Sequence, residues 1–509
     1  MATTVSRRAT LAGTAAAAML PFLRIPGARA RTPGVLTFGL SSFPPTIQPW
    51  ANSGTAAATM KLLMYRGLCS YGDDGALRGE LAESWARDGN NAWVFKLRQA
   101  KFQNGEAVTS ADVKWTVEQI AAERSTAFFR AEMQNVERVE TPDDRTVRIV
   151  TKVPVATLPN MMASYHLPII SRVSERNTPV GAGPFVLKGQ ERGTSLDFEA
   201  NPNFYKPGLP KLKGIRVVAY SDENLRVSAL QSGDLDLIEY VPWQAMDAIT
   251  ANPELKLDAV DGAFMFLVFN GSKPPFNDHR VRRAVAHAIR RDELVKAAFF
   301  GRGSGLEQLP IASSSAYYNA EYKDGWKYDP DLSKKMLAEA GFADGLSCSL
   351  LSTAQYGMHK DTAEVVQNHL AAVGIKVELN LPDWATRVSI GNRGQYDMAV
   401  MGTAADSNDP DGIANFIDGS LSPSYVRSYG LKVDRVTELL AAGRAEFDEA
   451  KRKAIYREME GVAIEQAPIV GLTWRSQGYA MKKGVSGFRN LPGALTFYSG
   501  LTFETTVMA

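Results

Sequence analysis

The apolar residues of this chain recur in short runs whose period switches between two and about 3.6, with turn residues between them. Residues 35–40 and 92–98 have strand character, and alternation in the second places Trp93, Phe95 and Leu97 on one face. Residues 136–150 alternate again, broken by the turn Thr141-Pro142-Asp143-Asp144. Helical period runs over 59–68, and Thr109-Ser110-Ala111-Asp112-Val113 opens a helix to about Ala122, with Thr109 or Ser110 as its cap and Asp112 in its first turn.

Beyond residue 214 the elements alternate at short spacing. Residues 215–220 predict a strand, 224–232 a helix stopping at Gly233, and 234–238 another strand. A strand over 264–270 and a long amphipathic helix over 278–289 come after these, and the rhythm then repeats: strand 346–351, helix 362–373, strand 375–379, helix 384–391. Helices over 433–443 and 448–466 come next, and the segment from Gly484 onward alternates like a strand. Such βαβ rhythm predicts an α/β protein with parallel or mixed sheets.

The run 398–401 differs from the others in the residues at its carboxyl end: Gly402, small residues, and then Asp406, Asp409 and Asp411. Ligands of open α/β sheets gather beyond the carboxyl ends of strands, so this acidic cluster is a candidate anchor, metal site or catalytic pair. An EF-hand loop from Asp406 would need glycine at 411 and glutamate at 417, where the chain has Asp411 and Ile417. His166, His279, His287, His359 and His369 form no ligand-spaced pair, so no metal or cofactor is expected. No Gly-x-Ser-x-Gly elbow or His-Glu-x-x-His motif occurs, which argues against an enzyme.

Length and charge narrow the class. The 509 residues suffice for two or more cores. Ser6-Arg7-Arg8-Ala9-Thr10-Leu11, an alanine-rich apolar region to Leu23, and Ala28-Arg29-Ala30 read as a twin-arginine signal peptide cleaved after Ala30, which directs the protein to the periplasm. The remainder carries 53 basic and 55 acidic residues, and this balance suggests no nucleic-acid partner. Cys69 and Cys348 are far apart, and free, buried thiols are expected.

Several motifs in order carry a resemblance. Leu81-Ala82-Glu83-Ser84-Trp85, Phe102-x-Asn104-Gly105-Glu106, Asn201-Pro202-x-Phe204-Tyr205, and above all Pro275-Phe276-Asn277-Asp278-x-Arg280-Val281-Arg282-Arg283-Ala284 resemble extracellular solute-binding proteins of the peptide/nickel-binding family, from about residue 35 to the C-terminus. The resemblance implies a two-lobe periplasmic-binding-protein fold with mixed sheets and a hinge. Lobe I would span 31–270 with an extra subdomain at about 60–180, lobe II 271–480, and 481–509 would return to lobe I. It further implies a monomer that closes on a small polar or peptide-like ligand and delivers it to the permease subunits of an ABC importer in the inner membrane; a chemoreceptor-signalling protein and a secreted hydrolase are the alternatives.

In the family's peptide binders the strand matching 398–401 ends in Gly-Trp-x-x-Asp, whose aspartate meets the peptide amino group. Here the match is Gly402-Thr403-Ala404-Ala405-Asp406, which makes Asp406 the expected anchor for a cationic donor on the ligand, with turn capping as the alternative. Thr353-Ala354-Gln355-Tyr356 falls where dipeptide binders place an arginine for the carboxylate, so Ala354 disfavours an ordinary dipeptide and favours a ligand with an amine or guanidinium end and no matching carboxylate, or a longer or modified peptide. Gly402, Thr403, Ala404, Trp384, Tyr356, Ser41, Phe43 and Asn270 complete the expected ligand-binding set.

Overall fold

A computed structural model describes residues 32–51, 54–174 and 178–509; the signal-peptide reading falls outside them. Gly34–Ala509 forms one compact unit.

Its backbone is a sheet of eleven described strands, most of them in the order Ile375–Asn380, Leu346–Leu351, Met398–Ala404, Leu255–Phe269, Val470–Lys482, Leu237–Ile238, Val35–Leu40, Gly214–Ala219, Ser195–Ala200, Phe185–Glu191. Parallel pairing occurs on both sides of the centre: Val35–Leu40 with Gly214–Ala219 on one, Leu346–Leu351 with Ile375–Asn380 on the other. These are the places where the sequence rhythm is βαβ, because a crossover helix returns the chain to the same edge of a strand. The helix Glu223–Ser232 shows the local logic, with Asp222 accepting from Leu225 N at 2.8 Å and Gly233 ending it at a φ of 89°.

The two central strands are long because they serve both halves of the sheet. Leu255–Phe269 runs antiparallel to Val470–Lys482 from Leu255 opposite Lys482 to Leu267 opposite Val470. The ladder slips between Asp261 and Ala263 and again between Met265 and Phe266. Gly262 sits inside the first slip at a φ of 151°, where a Cβ would lie 2.1 Å from the carbonyl oxygen of Gly493.

A separate four-stranded sheet, Ala82–Asp88, Ala92–Leu97, Thr146–Thr151 and Val136–Asp143, packs with the helix Ser110–Ala121 around its own core of Phe95, Val113, Ile120 and Ile149. Thr109 and Asp112 form the capping box that starts this helix. Cys69 and Cys348 are free and buried.

One expected element is different. From Gly484 onward only Val485–Ser486 and Val507–Met508 pair as strands, and Gly493–Glu504 between them is a 3-10 helix. Thr496, Ser499 and Thr502 recur every third residue and so align on a helix of three residues per turn. Ser499 Oγ donates to Thr496 O at 2.7 Å and Thr502 Oγ1 to Ser499 O at 2.8 Å, while Asn490 Oδ1 accepts from Thr496 and Ser499. The intervening Leu495, Phe497, Tyr498 and Phe503 are buried as fully as this polar face, so the segment has no solvent side and gives no apolar stripe of ordinary helical period in the sequence.

Candidate functional site

The strand Met398–Ala404 is buried because it lies between Leu255–Phe269 and Leu346–Leu351, and it ends with Ala404 opposite Ala263, beside the slip at Gly262. The chain then folds back tightly. Asp406 N donates to Gly412 O at 3.0 Å and Gly412 N to Asp409 O at 2.8 Å. Asp409 also accepts from Asp411 N at 2.9 Å, capping the short 3-10 turn Pro410–Ile413.

The three carboxylates of this loop have different fates. Arg452 holds both oxygens of Asp409 at 2.7 Å. Arg444 Nε holds Asp411 at 2.8 and 2.9 Å. Asp406 has no basic partner among the described residues; the Asn415 amide donates to its carboxylate, and the Tyr498 hydroxyl donates to its backbone carbonyl at 2.9 Å. Desolvation pushes the Asp406 carboxyl up to about 7; the Asn415 bond opposes this, and the carboxylates of Glu132 and Asp411 add to it. Asp406 is thus the one acid of the loop still open to a cation or donor from outside.

Beside it is a cavity of about 60 Å³, walled by residues brought together from distant parts of the chain, among them Thr55, Tyr165, Thr403, Asp406, Tyr425, Phe497 and Tyr498. The walls are aromatic, with Tyr165 and Tyr498 rings 4.9 Å apart. Tyr425 continues into Trp384 at 6.0 Å and Trp384 into Tyr356 at 5.6 Å, while Phe497 continues into Tyr240 at 6.2 Å. A polar solute sandwiched here would meet flat apolar faces with hydroxyl groups at their rims.

Two arginines stand against this aromatic wall. The Arg387 guanidinium lies 5.3 Å from the Trp384 ring centre and 5.5 Å from that of Tyr425. Its Nη2 donates to Val400 O at 2.6 Å, but Nε and Nη1 are buried without an acceptor. Arg475 lies 5.8 Å from the Tyr240 ring and 5.6 Å from Trp243; Nη1 donates to Gln477, and the one polar group facing its buried Nε and Nη2 is the Tyr240 phenol, with no carboxylate. Both side chains belong to residues that are 0% exposed, and no described carboxylate forms an ion pair with either. Burial lowers the pKa of both, that of Arg387 to about 10. His359 is buried beside them: desolvation first, then the charges of Arg387 and Arg475, hold its imidazole well below its usual range and therefore neutral.

The expected residues divide into three groups. Thr403, Ala404 and Asp406 line the cavity. Gly402 lies next to them, and a Cβ there would stand 3.3 Å from His359 Nε2; Tyr356 and Trp384 belong to the aromatic wall. Ser41, Phe43 and Asn270 are not among the cavity residues. Ser41 N and Oγ both donate to Glu239 Oε1, at 3.0 and 2.6 Å, and Phe43 packs against the core around Phe38. The Asn270 amide donates to Gly394 O and Tyr396 O, and its oxygen accepts from Ser272, so it holds the far end of its strand in place.

Arg387, Arg475 and His359, which the sequence did not single out, stand behind the aromatic wall and are not themselves among the cavity residues; Ala354 leaves its own position without a cation. No signal marked Arg475, which sits among Thr473, Ser476 and Gln477 in the strand Val470–Lys482.

Similarity to known proteins agrees with this architecture. The family of bacterial extracellular solute-binding proteins, family 5, matches residues 76–423. The periplasmic binding protein AgaA of A. tumefaciens R10, solved in complex with agropinic acid, is 39% identical with a TM-score of 0.89, and the match covers 93% of this chain and 99% of that one. The periplasmic binding protein DppA of Helicobacter pylori, solved with the peptide STSA, superposes with a TM-score of 0.84 at 21% identity over 93% of this chain and 98% of its own. The glutathione-binding protein GsiB of Escherichia coli is 26% identical over 477 residues, covering 90% of this chain and 91% of GsiB. The chain belongs to the family 5 bacterial extracellular solute-binding proteins, the substrate-capturing components of ABC importers, and has their two-lobe fold.

Proposed function

We propose that this protein captures a small polar acid of the opine type, with agropinic acid as the reference compound, in the cavity beside Asp406, and releases it to an ABC permease. The supporting observation is the cavity itself, which joins aromatic faces to the unpaired carboxylate of Asp406 in a chain 39% identical to a binding protein solved with agropinic acid. Asp406 receives a nitrogen or hydroxyl donor of the solute, and Tyr165, Tyr425 and Phe497 cover its apolar faces. Binding without turnover fits the lining, since the Thr403 hydroxyl donates to the carbonyl of Ala404 rather than to a base.

The lobes are 31–270 and 271–480, with 481–509 rejoining the first, and the hinge passes through the slipped ladder around Gly262. A solute touching both lobes stabilises the closed state by its differential affinity for it. The mature chain begins after Ala30, having been exported by the twin-arginine route as a monomer.

Isothermal titration calorimetry of the mature protein against agropinic acid, the peptide Ser-Thr-Ser-Ala and glutathione tests the reading. Micromolar or tighter binding of agropinic acid, with the other two at least a hundredfold weaker, is expected. Preference for the peptide or glutathione, or no binding of any of the three, overturns it.

A further inference from the structure

The two buried arginines have no assigned purpose. Neither stabilises the fold through an ion pair among the described residues; Arg387 leaves Nε and Nη1 without an acceptor, and the polar group that meets the free side of Arg475 is the neutral Tyr240 phenol. Burying a guanidinium with donors unused opposes folding, and cation–π contact with Trp384, Tyr425, Tyr240 and Trp243 offsets only part of that. Such a pair persists where an anion arrives from outside to complete it.

Their position says which anion. Arg387 is fixed by Val400 O, His359 faces Gly402, and Arg475 is opposite Ala263, the same residue that stands opposite Ala404. The three groups are therefore arrayed along the strand Met398–Ala404 from Val400 to Ala404, directly behind Thr403 and Ala404, which line the cavity. Arg387 shares Tyr425 with the cavity wall, and Arg475 shares Tyr240, whose hydroxyl lies 3.2 Å from the hydroxyl of the cavity residue Thr55. Free N–H groups on planar forks match the two oxygens of a carboxylate, and neutral His359, with Nδ1 unpaired, adds a further polar contact without competing charge.

We infer that Arg475 and Arg387, flanked by His359, form the carboxylate subsite of the bound solute, opposite the donor subsite at Asp406. This rests on the proposed function for the location of the ligand and adds the charge it must carry. The protein then selects acids and rejects neutral analogues of the same shape, because an uncharged group leaves both guanidinium forks unsatisfied.

The test compares agropinic acid with its methyl ester by calorimetry in the wild type, Arg475→Met, Arg387→Met and Arg475→Lys, with ligand-free melting temperatures measured alongside. The wild type should prefer the acid by a hundredfold or more. Each methionine variant should lose at least tenfold in affinity for the acid while binding the ester almost unchanged, and Arg475→Lys should lie between. Ligand-free Arg475→Met should melt at or above the wild-type temperature, as expected where an unpaired buried charge is removed. Wild-type binding of the acid with equal affinity in both methionine variants overturns the subsite and leaves the proposed function standing. If the wild type binds neither compound, the proposed function falls, and the melting temperatures decide the subsite: a variant that melts lower identifies a structural arginine and overturns the inference, whereas a rise supports it.

Discussion

Arg452 grips Asp409 through two hydrogen bonds of 2.7 Å, both side chains being mostly buried, and this fork fixes the loop that carries Asp406. Arg452 also donates to the Tyr317 hydroxyl and to Gly443 O, so it ties the loop to the helices Asp434–Ala445 and Glu449–Gln466. Asp409→Ala would leave the guanidinium buried without its counter-charge. A stability loss of about 3 to 5 kcal/mol is expected in urea unfolding, the range for one-sided removal of a buried pair. Unchanged stability would show that the fork is dispensable.

Asp406 should make the ligand-free protein less stable as pH rises. Its carboxyl is raised from 3.8 to about 7 in the folded state, so between these values the native protein holds a proton that the unfolded chain has lost. Stability from this group is therefore full below pH 4, declines through the interval, and is gone above about pH 7. At about 1.4 kcal/mol per pKa unit the loss is on the order of 4 kcal/mol. Asp406→Asn cannot ionise and should melt above the wild type at pH 8 but not at pH 4. Parallel melting curves for the two proteins across that range would remove the desolvated-carboxyl account. Glu460, also pushed up to about 7 by burial, contributes the same slope to both proteins and cancels in the comparison.

Elements whose physics is local were legible in the sequence. The Thr109–Asp112 capping box is written within four residues, and Thr109 N donates to Asp112 Oδ2 at 2.9 Å as that spacing requires. The paired runs Leu346–Leu351 and Ile375–Asn380 show in their apolar content. The features that could not be read depend on distant partners. Asp411 and Asp409 look as open as Asp406 until Arg444 and Arg452, 33 and 43 residues later, occupy them. Arg475 looks like any strand polar residue until the fold supplies aromatic rings and no acid around it. The predicted strand near the C-terminus failed for a third reason: Leu495-Thr496-Phe497 and Leu501-Thr502-Phe503 each alternate like a strand, and the period of three over Thr496, Ser499 and Thr502 shows only when the segment is buried on every side as a 3-10 helix.

The two cysteines should be inert in the native protein. Burial pushes both thiols up to about 12, so almost no thiolate exists near neutral pH. At pH 8 an aromatic disulfide reagent should detect none in the folded mature protein and two in denaturant. Rapid native reaction at either site would mean that its segment opens readily.

Export should depend on the arginine pair near the N-terminus. Replacing Arg7 and Arg8 together by lysine keeps the charge but removes the twin-arginine pattern, and uncleaved precursor should then accumulate in the cytoplasm. Wild-type periplasmic protein should begin at Arg31 by mass spectrometry. Normal export of the double-lysine variant would assign the protein to another route.

Gly262 should couple stability to ligand affinity. An alanine there would need a Cβ 2.1 Å from Gly493 O and 2.2 Å from Gly493 C, at a φ of 151° that side chains rarely adopt. The central strand and the segment entering the 3-10 helix must then separate. That segment carries Phe497, which packs on Ala263 and Ala404 and walls the cavity. Gly262→Ala should cost about 2 to 4 kcal/mol in urea unfolding, from overpacking and backbone strain together. It should also weaken agropinic acid binding by at least tenfold, because the displaced Phe497 no longer covers the solute when the lobes close. A control at Gly89, where φ is 67° and a Cβ would meet nothing within 4 Å, carries backbone strain without the clash. Gly89→Ala should lower stability by about 1 kcal/mol and leave affinity unchanged. Equal effects of the two substitutions on affinity would mean that the contact between Gly262 and Gly493 has no part in shaping the cavity.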